Sequence, residues 1–211
     1  MFAFSSRTQV DKSFRLTDLF KQINADKEVK KDAAGITGVV LKNVLSPTTL
    51  NCDPSGEIKE VYVFEITVAS QYVPERFIKA LDGSIKLHTL FSVRCGEWEY
   101  SMISYKLGSA KGKYYTTNWE VVAEFPVPPA GSVPALYQFI LSKFLPYSPR
   151  EGEAPGEYVM RNTRLLKLDG QIASTSAAMA RESQSKRKFE LNAKLKQLKE
   201  EREELLNFVK K

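Results

Sequence analysis

The chain has 211 residues, of which 43% are hydrophobic and 27% charged, and its formal net charge is +6. A chain of this length buries a core without needing disulfides or a structural metal. Its two cysteines (Cys52, Cys95) and single histidine (His88) lack neighbours at ligand spacing, which argues against a zinc site, a disulfide framework and a Ser/His/Asp or Cys/His catalytic set. No basic-then-apolar leader opens the sequence, and no apolar run approaches the roughly 20 residues of a membrane helix. A cytoplasmic protein without cofactor or membrane contact is expected.

Phe14, Leu16, Leu19, Phe20 and Ile23 recur at spacings of three and four, which predicts a short helix capped by Ser13. A further helical turn or two follows Ala25-Asp26. Val39 to Leu45 reads as strand or short helix, and Ser46-Pro47 closes it. Ile58 to Ala69 is β-branched and aromatic and predicts a strand, with Tyr62, Phe64, Ile66 and Val68 on the core face. Pro74 opens a helix that buries Phe77, Ile78 and Leu81. Leu87–Cys95 and Glu99–Leu107 form a hairpin across Cys95-Gly96-Glu97. Gly108 to Gly112 reads as a mobile hairpin tip. Trp119–Phe125 is a further strand, ended by Pro126, Pro128 and Pro129. Val133–Leu145 is a helix burying Leu136, Phe139, Ile140 and Phe144. The segment 146–156, with three prolines and two glycines, is a linker or ordered loop.

The expected fold is therefore α+β: a mainly antiparallel sheet with flanking helices over 1–156, followed by a long coiled-coil-like helix over 157–211. From about Tyr158 to Val209 there is no proline, and one continuous helix would be about 75 Å long. Two apolar stripes run along it. Leu165, Leu168, Ile172 and Met179 form the first, with Thr175 in the open place. Leu191, Leu195, Leu198, Leu205 and Val209 form the second in a seven-residue repeat, with Arg202 at an a-type position. The stripes are about two residues out of phase, and the break lies between Glu182 and Lys188. The helix either turns a different face to its surroundings there or bends. The first stripe is assigned to the head. The second, including Arg202, is expected to bind a partner, either a second copy or another protein.

Charge is concentrated in the same region. Arg161 to Lys211 holds 13 basic and 7 acidic residues, a balance of +6, while the other 160 residues balance at zero. Arg181, Lys186, Arg187, Lys188, Lys194, Lys196 and Lys199 form a candidate nucleic-acid surface. The alternative is a solvated helix face. Lys111, Lys113 and Tyr114 offer a second candidate, an aromatic beside phosphate-binding lysines. Against it, Tyr115 and Trp119 of the same run read as core anchors. A metal-dependent nuclease would need converging carboxylates and a lysine, for which Glu60, Glu65, Asp82 and Lys106 are the candidates.

Leu45-Ser46-Pro47 with Thr49-Leu50, Val63-Phe64-Glu65-Ile66, Leu81-Asp82 through His88-Thr89-Leu90-Phe91, Tyr114 through Trp119, Glu182-Ser183-Gln184 and Arg187-Lys188-Phe189-Glu190-Leu191-Asn192 together resemble a bacterial and archaeal family known as domain of unknown function 4391. Ser185 and Lys186 depart from its usual aromatic and asparagine and make the helix more basic. Members resemble neighbours of DNA methyltransferases and helicases in phage-defence operons. The resemblance implies a non-catalytic accessory or adaptor subunit of a DNA-modification or defence complex, binding a helicase or methyltransferase of the same operon through its C-terminal helix. Direct DNA binding by the basic helix and a nuclease around Glu65 are the alternatives.

Overall fold

The computed structural model describes residues 2–106 and 113–207, in two compact units, Met1–Pro149 and Arg150–Lys211. The first unit is built on a sheet. Strand β1 (Phe2–Ala3) precedes a 3₁₀ turn at Ser6–Thr8 and strand β2 (Gln9–Ser13). Helices α1 (Leu16–Gln22) and α2 (Lys27–Asp32) lead into β3 (Ile36–Leu45), the single turn α3 (Pro47–Leu50), β4 (Val61–Val68), α4 (Glu75–Ser84), β5 (His88–Cys95) and β6 (Trp98–Tyr105). Then come β7 (Lys113–Thr116), β8 (Glu120–Val121), β9 (Phe125–Pro126) and α5 (Val133–Leu141).

The main sheet has the order β2-β3-β4-β5-β6-β7, with β8 beside β6; β1 and β9 pair separately and in parallel. All neighbours in the main sheet are antiparallel except β4 and β5, which run parallel because α4 crosses over between them. The fold is thus α+β with a mostly antiparallel sheet and flanking helices.

The core face of β4 carries Phe64, Ile66 and Val68, packed with Phe77, Ile78 and Leu81 of α4 and with Phe91 and Val93 of β5. Val61 and Val63, on the opposite face, are buried as well. A strand in the middle of a sheet with a parallel neighbour is covered on both sides, so its apolar residues run on without strict alternation.

Three local expectations needed correction. Ser13 does not cap α1; it ends β2 opposite Val40, and the next residue, Phe14, still donates its N–H to Val39 O at 2.9 Å. The sheet holds that backbone, and α1 starts only after Arg15, which makes no side-chain cap. The strand expected over Trp119–Phe125 is two fragments: Glu120–Val121 pairs with β6, whereas Phe125–Pro126 pairs with β1. In α5 the fully buried side chains include Tyr137 and Leu141, while Phe139 and, beyond the end of the helix, Phe144 are only half-buried.

The larger correction concerns the C-terminus. One helix of about 50 residues is not formed. The chain makes α6 (Pro155–Arg181), leaves helical geometry at 182–184, and returns as α7 (Ser185–Asn207). Arg164 pairs with Glu201 at 2.6 Å and Arg202 with Asp169 at 2.7 Å. Early residues of α6 thus meet late residues of α7, and the two helices are antiparallel. The mismatch of phase between the stripes has a structural cause: each stripe faces the other across a turn, rather than lying along one surface.

Candidate nucleic-acid and partner interface

The seam expected to bind a partner lies on a helix that packs along α6, and it is partly covered. Leu195 is buried, and Leu191, Leu198, Arg202 and Leu205 are half-buried. On α6, Leu165, Leu168 and Thr175 are buried. Val209 lies outside the described residues. Arg202, at an a-type position of the seam, makes a charge-assisted hydrogen bond to Asp169. The start of the unit is tied down by Arg161, which forms a two-pronged contact with Glu153 at 2.6 and 2.8 Å. Burial would raise the Glu153 pKa, but these bonds and that from the Arg150 N–H outweigh it and hold the carboxyl below its ordinary value. Arg150 also donates to the carbonyl of Leu205.

With the apolar stripes turned inward, the basic residues face solvent. Arg181, Lys186, Arg187, Lys188, Lys194, Lys196 and Lys199 are all exposed. Among the described residues, two of these seven have a carboxylate within 4 Å: Arg187 with Glu182 at 3.4 Å and Lys196 with Glu200 at 3.8 Å. The first turn of α7 contains Lys186, Arg187 and Lys188 and no acid. Positive charge at a helix N-terminus opposes the macrodipole and costs a few tenths of a kcal/mol or more per residue. The arrangement therefore does not favour the helix itself.

The other nucleic-acid candidates fare differently. Lys111 lies outside the described residues, as does the tip at 108–112. Tyr114, proposed as a base-stacking ring, points its hydroxyl inward and donates to Asp82 Oδ2 at 2.6 Å. Burial and the Asp82 carboxylate push its pKa far above the ordinary tyrosine value. The Lys113 ammonium sits over the ring of Tyr115, 5.4 Å from its centroid. Tyr115 is buried, and Trp119 packs on Tyr100 with ring centroids 5.8 Å apart, so both serve as core anchors.

The carboxylates named for a nuclease are separated. Glu65 on β4 pairs with Arg94 of β5 at 3.3 Å, and Glu60 precedes β4. Asp82 and Lys106 do meet, at 2.9 Å, but in a closed buried cluster. There, Thr89 and Ser104 donate to Asp82 Oδ1, and Lys106 reaches the carbonyls of Asp82, Ile85 and Leu87 at 2.5–2.8 Å. Among the described residues, no group of three His, Cys, Asp or Glu side chains is placed to hold a metal ion. A cleft of about 280 Å³ in the first unit is lined by Glu99, Glu120 and Glu124, with Lys143 the one cation among its lining residues. Its charge does not suit a polyanion.

Two features escaped the sequence reading. The partners Thr89, Ser104 and Tyr114 of Asp82 come from three different strands, and no local pattern joins them. Phe189 is 75% exposed, more than any other large hydrophobic side chain among the described residues. It had a legible signal: in the repeat that puts Leu191 at d and Leu195 at a, Phe189 falls at an outward b-type place.

The two units define an α+β head domain and a basic antiparallel helical hairpin. The chain belongs to the family described as domain of unknown function (DUF4391), whose model matches residues 2–201. No curated protein and no solved structure matches it. Among the described residues, no helix is long and apolar enough to cross a membrane.

Proposed function

We propose that this protein is a non-catalytic accessory subunit of a bacterial or archaeal DNA-modification or phage-defence complex, and that its helical hairpin holds nucleic acid through the basic residues of α7. One observation carries this reading: seven cations within Arg181–Lys199 are exposed, and three of them crowd the first turn of α7 without an acid. Cations so placed attract phosphates over a Debye length and release condensed counterions on binding. The setting comes from the resemblance to neighbours of methyltransferases and helicases.

The test is fluorescence anisotropy of labelled DNA, duplex and single-stranded, over a series of salt concentrations. Affinity should fall steeply with salt. The double variant Arg187→Ala/Lys188→Ala should make the log–log slope shallower by about 1.4–1.8, since each lost phosphate contact removes roughly 0.7–0.9. The loss should be similar for all sequences. Absence of salt-dependent binding to either form would sink the proposal.

A second reading, docking to a helicase or methyltransferase subunit, is favoured by Met160 and Leu166, which are 55% and 44% exposed on α6. Six residues apart on a helix, the two point about 120° from each other, so each offers a protein partner a separate apolar contact rather than a joint patch. Co-purification of the full chain with such subunits tests it, and their failure to associate would remove it.

A further inference from the structure

We infer that Phe189 is a stacking platform for an unpaired base, so that the hairpin takes single-stranded nucleic acid in preference to duplex. This deepens the proposed function and rests on it. Phe189 is 75% exposed on a helix whose leucines are all buried or half-buried. Lys186, Phe189, Ala193 and Lys196 follow one another at intervals of three, four and three, and so share the face of α7 opposite Leu191, Leu195 and Leu198. Lys186 and Lys196 stand about 15 Å apart along that face, from the helical rise. Arg187, Lys188 and Lys194 flank it, all exposed.

A cation, an aromatic ring and a second cation in line match the two needs of single-strand binding. The cations follow the phosphates, and the ring receives a base by its face whatever the sequence. Phenylalanine carries no hydrogen-bonding group, so it cannot read the donor and acceptor pattern of base edges in a duplex groove. It is also isolated: its neighbours one turn away on α7 are Ser185, Lys186, Asn192 and Ala193, none of them a large apolar residue. A membrane-binding helix would present a broad apolar face instead.

The experiment compares the full-length protein with Phe189→Ala and Phe189→Trp, using a labelled thymidine homopolymer, a labelled duplex and vesicles of anionic phospholipid. An exposed residue can be replaced without disturbing the core, and an unchanged helical circular dichroism spectrum verifies that. The single strand should bind tighter than the duplex. Phe189→Ala should weaken single-strand binding roughly 5- to 150-fold and leave duplex binding and the salt slope alone, while Phe189→Trp should retain or improve it. Equal affinity for both forms, with no effect of Phe189→Ala, overturns the stacking role but leaves salt-dependent DNA binding standing. Binding to vesicles with none to either nucleic acid overturns both.

Discussion

Replacing Asp82 with alanine should destabilise the head by about 3–5 kcal/mol, the usual cost of removing one partner from a buried ion pair. Both side chains of the pair are almost fully shielded, 0% exposed for Asp82 and 3% for Lys106. The carboxylate also receives Thr89, Ser104 and Tyr114, so its loss strands several buried donors at once. These partners sit on or beside α4, β5, β6 and β7, and one carboxylate therefore fixes the crossover helix to three strands. The Lys106 ammonium keeps its carbonyl acceptors but loses its counter-charge. A urea melt followed by intrinsic fluorescence should show a lower midpoint with little change in slope. The double variant Asp82→Ala/Lys106→Met should recover part of the loss, because it leaves no unpaired buried charge. A midpoint unchanged in Asp82→Ala would show that the cluster contributes nothing.

Acid should weaken the same region before carboxylates titrate. The His88 ring lies between Tyr105 and Tyr137, with ring centroids 5.3 and 4.9 Å away. Its buried Nε2 has no hydrogen-bond partner among the described residues. Burial, reinforced by the Lys106 charge and only partly offset by Asp82, pushes its pKa down from the ordinary 6.5 to about 4. The unfolded chain therefore binds this proton below about pH 6.5, whereas the folded chain refuses it until about pH 4. Stability is unaffected by His88 above pH 6.5 and falls as pH drops through that window, by on the order of 3 kcal/mol at its lower end. His88→Phe keeps an aromatic ring between the two tyrosines and removes the titration. Its stability should change little between pH 6.5 and 4, where the natural protein declines. Parallel pH profiles for the two would refute this. Asp11 and Glu153, held below the ordinary carboxylate range by Lys42 and Arg161, lose their contribution from the acid end of this window downward, and they do so alike in both proteins.

Much of this fold can be read locally. The aromatic and β-branched run of β4, the proline that opens α4 and the glycine turn between β5 and β6 each carry their own physical signal, and all three elements form where that signal points. Gly96 takes the positive φ of +57° that such a turn uses. What could not be read locally depends on partners distant in sequence. Ser13 has the chemistry of a helix cap, but β3 claims it for the sheet. Tyr114 has the chemistry of a stacking ring, but Asp82, 32 residues earlier, claims its hydroxyl. The C-terminal stripes show the same limit. Their spacing and phase break are plain in the sequence, yet periodicity registers a helix face without saying what covers it, and here the cover is the chain's own preceding helix. The basic surface was legible because exposure is the default for charge.

The reversal at 182–184 also sets how the hairpin can form. Residues flanking the turn meet across a short loop, and each later pair closes only a slightly longer one, so the hairpin can zip outward at small entropic cost. The head must instead align β4 with β5 across a helical crossover and bring β2 beside β3 past two intervening helices, pairings that have no short loop to start from because even their nearest partners, such as Val61 with His88 and Ser13 with Val40, are far apart in sequence. Both tryptophans, Trp98 and Trp119, belong to the head. Tryptophan fluorescence thus follows the slow part of the chain alone, while the helical circular dichroism signal is dominated by the fast part. In stopped-flow refolding the helical signal should return first. Coincident traces from the two probes would mean that the hairpin waits for the sheet.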